Sequence, residues 1–333
     1  MKSSKMKAWG ITRRHVGALG LAAGVFAAHS ARADAFPAKP IHLIVPFTPG
    51  GTTDVLAREI AQKLQMALGQ TVLVENRPGA GGSVGCEMVA RSEPDGCTLL
   101  MGHIGTLAVN PSVYPHLGYD PIKGWSSIAW TANVPNVLAV HSSVPATSVK
   151  ELVALAKSKP GQLAYGTGGN GTASHIATAY FASVTGIDIL HVPYKGTAPF
   201  VVDLVAGLLQ IGFSGTPSIM PHVKTGQLRA LGVSSAHRSQ AYPELPTIAE
   251  SGYPGFEADQ WYGIVGPAGI DPAVVARLNA EINKAMDSKE LRARLGQEGG
   301  EPILLPPQAL SEHIAAEIER WRPVLKAANV TLE

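Results

Sequence analysis

Residues 41–54, IHLIVPFTPGGTTD, constrain the fold of this 333-residue chain more than any other stretch. Ile41, Leu43 and Val45 alternate with His42 and Ile44, a short apolar run that reads as a buried strand. Pro46, Pro49, Gly50 and Gly51 break it; Thr52, Thr53 and Asp54 are residue types that open helices, here one over 55–68. Strand, glycine turn and helix start make a unit whose unpaired N–H groups and positive helix end suit an anion. Any βα turn has this look, so one copy decides little. A second copy strengthens the reading: the strand LAYG (163–166), the turn TGGNG (167–171) and a helix over 172–185.

Further apolar runs at 71–75, 97–101, 136–141, 188–192, 211–214, 228–233 and 261–265 read as strands. Helical patterns at 83–91, 148–158 and 197–206 lie between them, and two apolar stripes after 270 close the chain. This alternation predicts an α/β fold with mainly parallel sheets covered by helices. Residues 110–128, with Pro111, Pro115, Gly118, Pro121 and Gly124, read as a long irregular surface connection. The length allows two domains. A chain crossing between lobes near Asn136, and back near Asp259, would set both glycine turns at one cleft.

Residues 1–33 read as an export signal: a basic start, a Gly/Ala-rich apolar stretch at 16–28, and Ala31-Arg32-Ala33 as cleavage pattern. Thr12-Arg13-Arg14 resembles a twin-arginine signal, while His15 and Val16 depart from its usual continuation, so the general secretory route stays open. A periplasmic location is expected. The net charge of +2 depends on this segment, which holds six bases and no acid; without it 21 bases face 25 acids, a net −4. No basic run remains, which argues against nucleic acid. Cys86 and Cys97 are expected to be unpaired, the first in a helix and the second opening a strand. No metal-ligand spacing occurs.

Two motifs imitate catalytic signatures. Residues 166–171, GTGGNG, match the dinucleotide fingerprint, but the acid that should end the next strand, Asp188, begins it instead. Residues 81–85, GGSVG, match a nucleophile elbow, with Asp203 and His222 or His237 in order; a proline-glycine loop separates Ser83 from its strand, so a capping serine is the simpler reading. A secreted hydrolase-like enzyme is therefore the alternative function. His175 reads as a packing residue more than a ligand contact. Trp261 is either a core tryptophan or an aromatic cleft wall. Asp203, within the apolar run 201–205, must find donors, from neighbouring backbone or from a ligand.

The exported part resembles the substrate-binding receptors of tripartite tricarboxylate transporters, the Bug-type periplasmic proteins. The motifs that carry the resemblance are PFTPGGTTD, ENRPGAGGSVG, PDGCTLLMG, AVNPSVY, SVKELVALAK, LAYGTGGNGTASHIA, VPYKGTAPFVVDLVAG, GQLRALGVSSAHR, LPTIAESGYPGFE and WYGIVGPAG, in that order. The resemblance implies a two-lobed type II periplasmic binding protein fold, with lobe 1 over 34–138 and 258–333 and lobe 2 over 139–257. It implies no enzymatic activity, no cofactor, a small organic carboxylate as ligand, membrane permease subunits as partners, and a monomer. Carried onto this chain, the family's ligand contacts are Phe47, Gly50, Gly51, Thr52 and Thr53 from the first turn, and Thr167, Gly171, Thr172 and Ala173 from the second. Asp203 matches an aspartate of the family pattern, and Trp261 completes the expected set. The loop 102–106 matches no ligand type; it and residues 214–218 are candidates to line the pocket, which leaves specificity open.

Overall fold

The computed structural model describes residues 36–297 and 299–327; the expected export signal and the last residues of lobe 1 lie outside the described residues. The chain begins with β1 (Ile41–Val45), α1 (Thr52–Leu68), β2 (Val72–Asn76), α2 (Ser83–Ala90), β3 (Thr98–His103), α3 (Asn110–Val113) and β4 (Trp125–Val134). A second stretch follows: β5 (Asn136–His141), α4 (Val149–Ser158), β6 (Ala164–Thr167), α5 (Ala173–Thr185), β7 (Leu190–Pro193), α6 (Thr197–Val205), β8 (Ile211–Gly215), α7 (Thr216–Lys224) and β9 (Leu228–Val233). The chain then returns through β10 (Gln260–Pro267), α8 (Pro272–Met286), α9 (Lys289–Gln297), β11 (Glu301–Pro302) and α10 (Pro307–Ala327).

The strands form two sheets, ordered β11-β4-β10-β3-β1-β2 and β7-β6-β8-β5-β9. Residues 136–138, expected in lobe 1, pair with β8 and β9 of the second sheet, so the sheet switch falls at Pro135. Both sheets are mixed rather than mainly parallel. β1 runs parallel to β2 and β3, and β6 to β7 and β8. β10 is antiparallel to β3 and β4, and β5 to β8 and β9. The reason is topological. β1, β3, β6 and β8 end at the junction between the sheets, whereas β5 and β10 start there. A strand inserted from the junction must run the other way.

Apolar periodicity accounts for the core. Leu56, Ala57, Ile60 and Leu64 of α1 pack with Leu278 and Ile282 of α8 in one buried cluster with Ile41, Leu43 and Val45 of β1. Gly69, in the left-handed region (φ 65°), ends α1 and donates its N–H to Gln65 O. On α10, Ile314, Ile318, Trp321 and Leu325 are all buried, the stripe expected from sequence. Cys86 and Cys97 are free and buried, and burial pushes their thiols up to about 12 and about 11.

Two elements escape sequence reading. β4 carries Ser126, Ser127, Thr131 and Asn133, and its register with β10 shifts twice, which destroys the two-residue alternation. α7 contains Pro217 and Pro221, which read as breakers. The expected surface connection over 110–128 is instead partly core: Asn110–Val113 forms α3 with Asn110 fully buried, and β4 opens at Trp125.

Candidate functional site

The carboxyl ends of β1, β3, β6 and β8 lead into one cavity between the sheets, where ligands of such folds settle. The cavity is small, about 50 Å³, room for roughly three to five waters. Its lining comes largely from four helix starts: Gly51, Thr52 and Thr53 of α1; Thr172, Ala173 and Ser174 of α5; Gly196, Thr197 and Ala198 of α6; Gly215 and Ser218 of α7. The N-cap residues are Gly51, Thr172, Gly196 and Gly215, and none makes a side-chain cap bond. A helix start left uncapped exposes unpaired N–H groups and the positive end of its dipole. Four such ends at one cavity make a strong anion trap. Among the described residues, no Lys or Arg side chain is in the lining.

The first turn is held open by Asp54. This buried carboxylate accepts from Gly50 N (3.1 Å), Arg58 Nε (3.1 Å), Arg58 Nη2 (2.9 Å) and Asn76 Nδ2 (2.9 Å). Burial alone would raise its pKa; the donors from Arg58, Asn76 and Gly50 outweigh burial and hold it below the usual value. Asn76 Nδ2 also donates to Phe47 O (3.0 Å), so both sides of the turn are pinned. The N–H groups of Gly51, Thr52 and Thr53 have no partner among the described residues.

The second turn uses its amides internally. Gly168 N–H donates to Ser174 Oγ (3.0 Å), Gly169 N–H to Thr167 Oγ1 (3.3 Å) and Gly171 N–H to His175 Nδ1 (3.2 Å). Thr172 Oγ1 donates to Gly169 O (2.6 Å), which leaves Ser174 Oγ to donate to Thr172 Oγ1 (3.0 Å). The N–H groups of Ala173 and Ser174, at the helix start beyond the turn, have no partner among the described residues. His175 is buried and stacks on His191 (4.3 Å); burial pulls its pKa down to about 3, which keeps Nδ1 free to accept.

The lobes touch across the cleft through glycines. A Cβ on Gly105 would lie 2.4 Å from Gly171 O, and one on Gly196, at φ 127°, would meet Thr48 Oγ1. Asn136, Gln260 and Tyr262 form a hydrogen-bonded chain where the sheets join: Tyr262 Oη donates to Gln260 Oε1 (2.7 Å), Gln260 Nε2 to Asn136 Oδ1 (2.6 Å), and Asn136 Nδ2 to Ala258 O (2.7 Å).

The family model described as "Tripartite tricarboxylate transporter family receptor" matches residues 56–330. The chain belongs to that family. The receptor is 39% identical to Protein BugT of Bordetella pertussis over 302 residues, 90% of this chain and 93% of that protein. Among solved structures it is similar to R. palustris Rpa4515 with adipate, with a TM-score of 0.86 and 38% identity over 89% of this chain and all of that one. It is also similar to MatC (Rpa3494) from Rhodopseudomonas palustris with bound malate, with a TM-score of 0.83 and 31% identity over 87% of this chain and all of that one. The fold is that of two-lobed periplasmic binding proteins, and the family is one of solute-binding receptors, not enzymes.

Of the expected contacts, the receptor brings Phe47, Gly51, Thr52, Thr53, Thr172 and Ala173 to the cavity. Gly50 faces an adjoining groove, and its N–H is taken by Asp54. Thr167 and Gly171 lie beneath the second turn, committed to His191 and His175. Asp203 is not in the lining; it accepts from Tyr194 Oη at 2.5 Å. Trp261 is a core residue whose Nε1 donates to Glu317 Oε2 (3.0 Å), beside Trp321 Nε1 (2.9 Å). Glu317 stays below its usual pKa because the donors from Arg320, Trp321 and Trp261 outweigh its burial. Ser83 Oγ accepts from Asn110 Nδ2 (3.1 Å), and no histidine is among its described partners. Gly196, Thr197, Ala198, Gln260 and Tyr262 also line the cavity, and none was expected there from sequence. His103, Ser214, Gly215 and Ser218 belong to the two segments named as candidates to line the pocket, and all four do.

Proposed function

We propose that the receptor captures a small organic carboxylate in this cavity and delivers it to the membrane permease subunits of a tripartite transporter, working as an exported monomer with its leader removed after Ala33. The observation that carries this reading is the convergence of four uncapped helix starts on a cavity with no cation in its lining. Charge-assisted bonds from N–H groups can hold a carboxylate without a lysine or arginine. The relatives Rpa4515 and MatC, solved with adipate and malate, support the ligand class.

The ligand contacts we assign are Phe47, Gly51, Thr52, Thr53, Ala173 and Ser174, with the starts of α6 and α7 opposite. Lobe 1 comprises residues up to the switch at Pro135 and from Ala258 onward, and lobe 2 the residues between. A thermal-shift screen of carboxylic acids tests the reading, because a ligand specific to the folded state raises the melting temperature by mass action. Stabilisation by one or more small acids, and by no ester or nucleotide, is the expected result. A screen in which no acid stabilises the protein would refute it.

A further inference from the structure

His103 is the one imidazole in the lining of the cavity, at the carboxyl end of β3. It is buried, with the Phe47 ring edge-on at 5.1 Å and the Tyr262 ring at 5.7 Å. Gly105 N–H donates to its Nδ1 at 3.0 Å, so in the neutral ring the proton sits on Nε2. Burial lowers its pKa to about 3, so the ring is neutral across the ordinary pH range. The Nε2–H group has no protein acceptor among the described residues, and the ring lines the cavity, so this donor is not sealed in the core. Nearby acceptors are engaged elsewhere: Gln260 Oε1 accepts from Tyr262 Oη, and Asp54 accepts from Gly50, Arg58 and Asn76. In the free protein water meets a donor that opens on a cavity, and a ligand oxygen that replaces this water keeps the bond, whereas a ligand without one loses it.

Resting on the carboxylate reading above, we propose that His103 sets the ligand class: its Nε2–H donates to a second oxygen-bearing group of the bound acid. The receptor then takes acids with a further carboxylate, hydroxyl or carbonyl oxygen. Plain monocarboxylates leave His103 unpaired. Amino acids bring an ammonium into a cavity ringed by positive helix ends, where the only carboxylate is saturated with donors.

Titration calorimetry with two matched sets decides it: adipate against hexanoate, and malate against aspartate. The wild-type protein is expected to bind at least one of the two diacids about 10-fold or more tighter than its counterpart. His103→Leu should lower affinity for that diacid about 10- to 100-fold and leave hexanoate within about threefold, while His103→Gln, which keeps an N–H donor, stays within about fivefold of wild type. In the wild-type protein, the nitrogen-15 spectrum should show the His103 Nε2–H signal moving when the diacid is added, a readout that needs no variant to fold. Equal diacid affinity in His103→Leu, no discrimination within either set, or an unmoved Nε2–H signal would overturn the proposal while leaving carboxylate binding intact. Failure of every acid to bind would overturn the carboxylate reading itself and this proposal with it.

Discussion

The two glycine turns look alike in sequence and do different work in the structure. In PGGTTD, a carboxylate four residues past Gly50 ties the turn back, and the amides of Gly51, Thr52 and Thr53 are left pointing outward. In TGGNGTASH, Ser174, Thr167 and His175 consume the amides of Gly168, Gly169 and Gly171. Only the helix start beyond that turn remains available. The glycines of the second turn serve the approach of the lobes instead, with Gly171 O against Gly105 and a Cβ on Gly171 meeting Asn110 Oδ1 at 2.6 Å. Glycine density therefore marks where backbone comes close to something. Whether that is an anion or the other lobe depends on which nearby side chains reach back to the turn's amides.

The comparison breaks first at Gly51. Its φ of −83° is open to any residue, and a Cβ there meets nothing within 4 Å, so Val is expected to fold normally and intrude only on the ligand. Gly51→Val should weaken acid binding by about 100-fold or more, since several charge-assisted donors are blocked at once. Calorimetry with an unchanged melting curve checks this, and binding within threefold of wild type would end the claim that the first turn holds the anion.

Gly105→Ala probes the other role. The added methyl would meet Gly171 O of the other lobe at 2.4 Å, a backbone atom, and the His103 ring at 3.0 Å, so the larger clash opposes contact between the lobes. We expect affinity to fall roughly 10-fold, with the unliganded form more open in small-angle scattering. An unchanged affinity would mean that lobe contact contributes nothing to capture.

Acid should loosen the second turn before the first. His175 has a folded pKa of about 3 against 6.5 unfolded, so its contribution to stability is complete above pH 6.5 and is lost as the pH falls below it. His103 at about 3, and His191 and His313 at about 4, act in the same direction. Asp259, raised by burial to about 7, opposes them, because its folded form holds a proton that the unfolded chain releases. Asp54, held below the ordinary aspartate range by its donors from Arg58, Asn76 and Gly50, keeps the first turn until the pH is lower still. The melting temperature is expected to drop between pH 7.5 and 5, at roughly 2–4 °C per kcal/mol lost. A flat profile would contradict these protonation states.

The smallest effect belongs to Arg58→Gln. Arg58 is half exposed, lies outside the cavity and acts only on Asp54 and Asn76. Affinity should stay within about threefold of wild type. A loss comparable to that of Gly51→Val would make Arg58 a ligand cation and remove the distinction between a main-chain site and a charged one.

How much of this was legible in the chain follows from the range of the interactions. The first turn could be read because its strand, glycines and helix opener are adjacent. The anion trap as a whole could not, since α6 and α7 reach the cavity only after the five-stranded sheet has formed, and Pro217 and Pro221 disguise α7. β4 was invisible because its polar residues are satisfied by distant partners, such as Thr131 Oγ1 donating to Tyr262 O (3.0 Å). Trp261 and Asp203 were plausible ligand contacts by position; Glu317, far along the chain on α10, claims the first, and Tyr194, nine residues upstream in the same motif, claims the second through a fold that sequence spacing alone does not show.

A crystal structure of the protein with a tightly binding diacid tests the central claim most directly. The account predicts one ligand carboxylate within about 3.2 Å of N–H groups at the starts of α1 and α5, and no lysine or arginine nitrogen within about 4 Å of it. A carboxylate paired with a basic side chain, or seated away from the four helix starts, would contradict it.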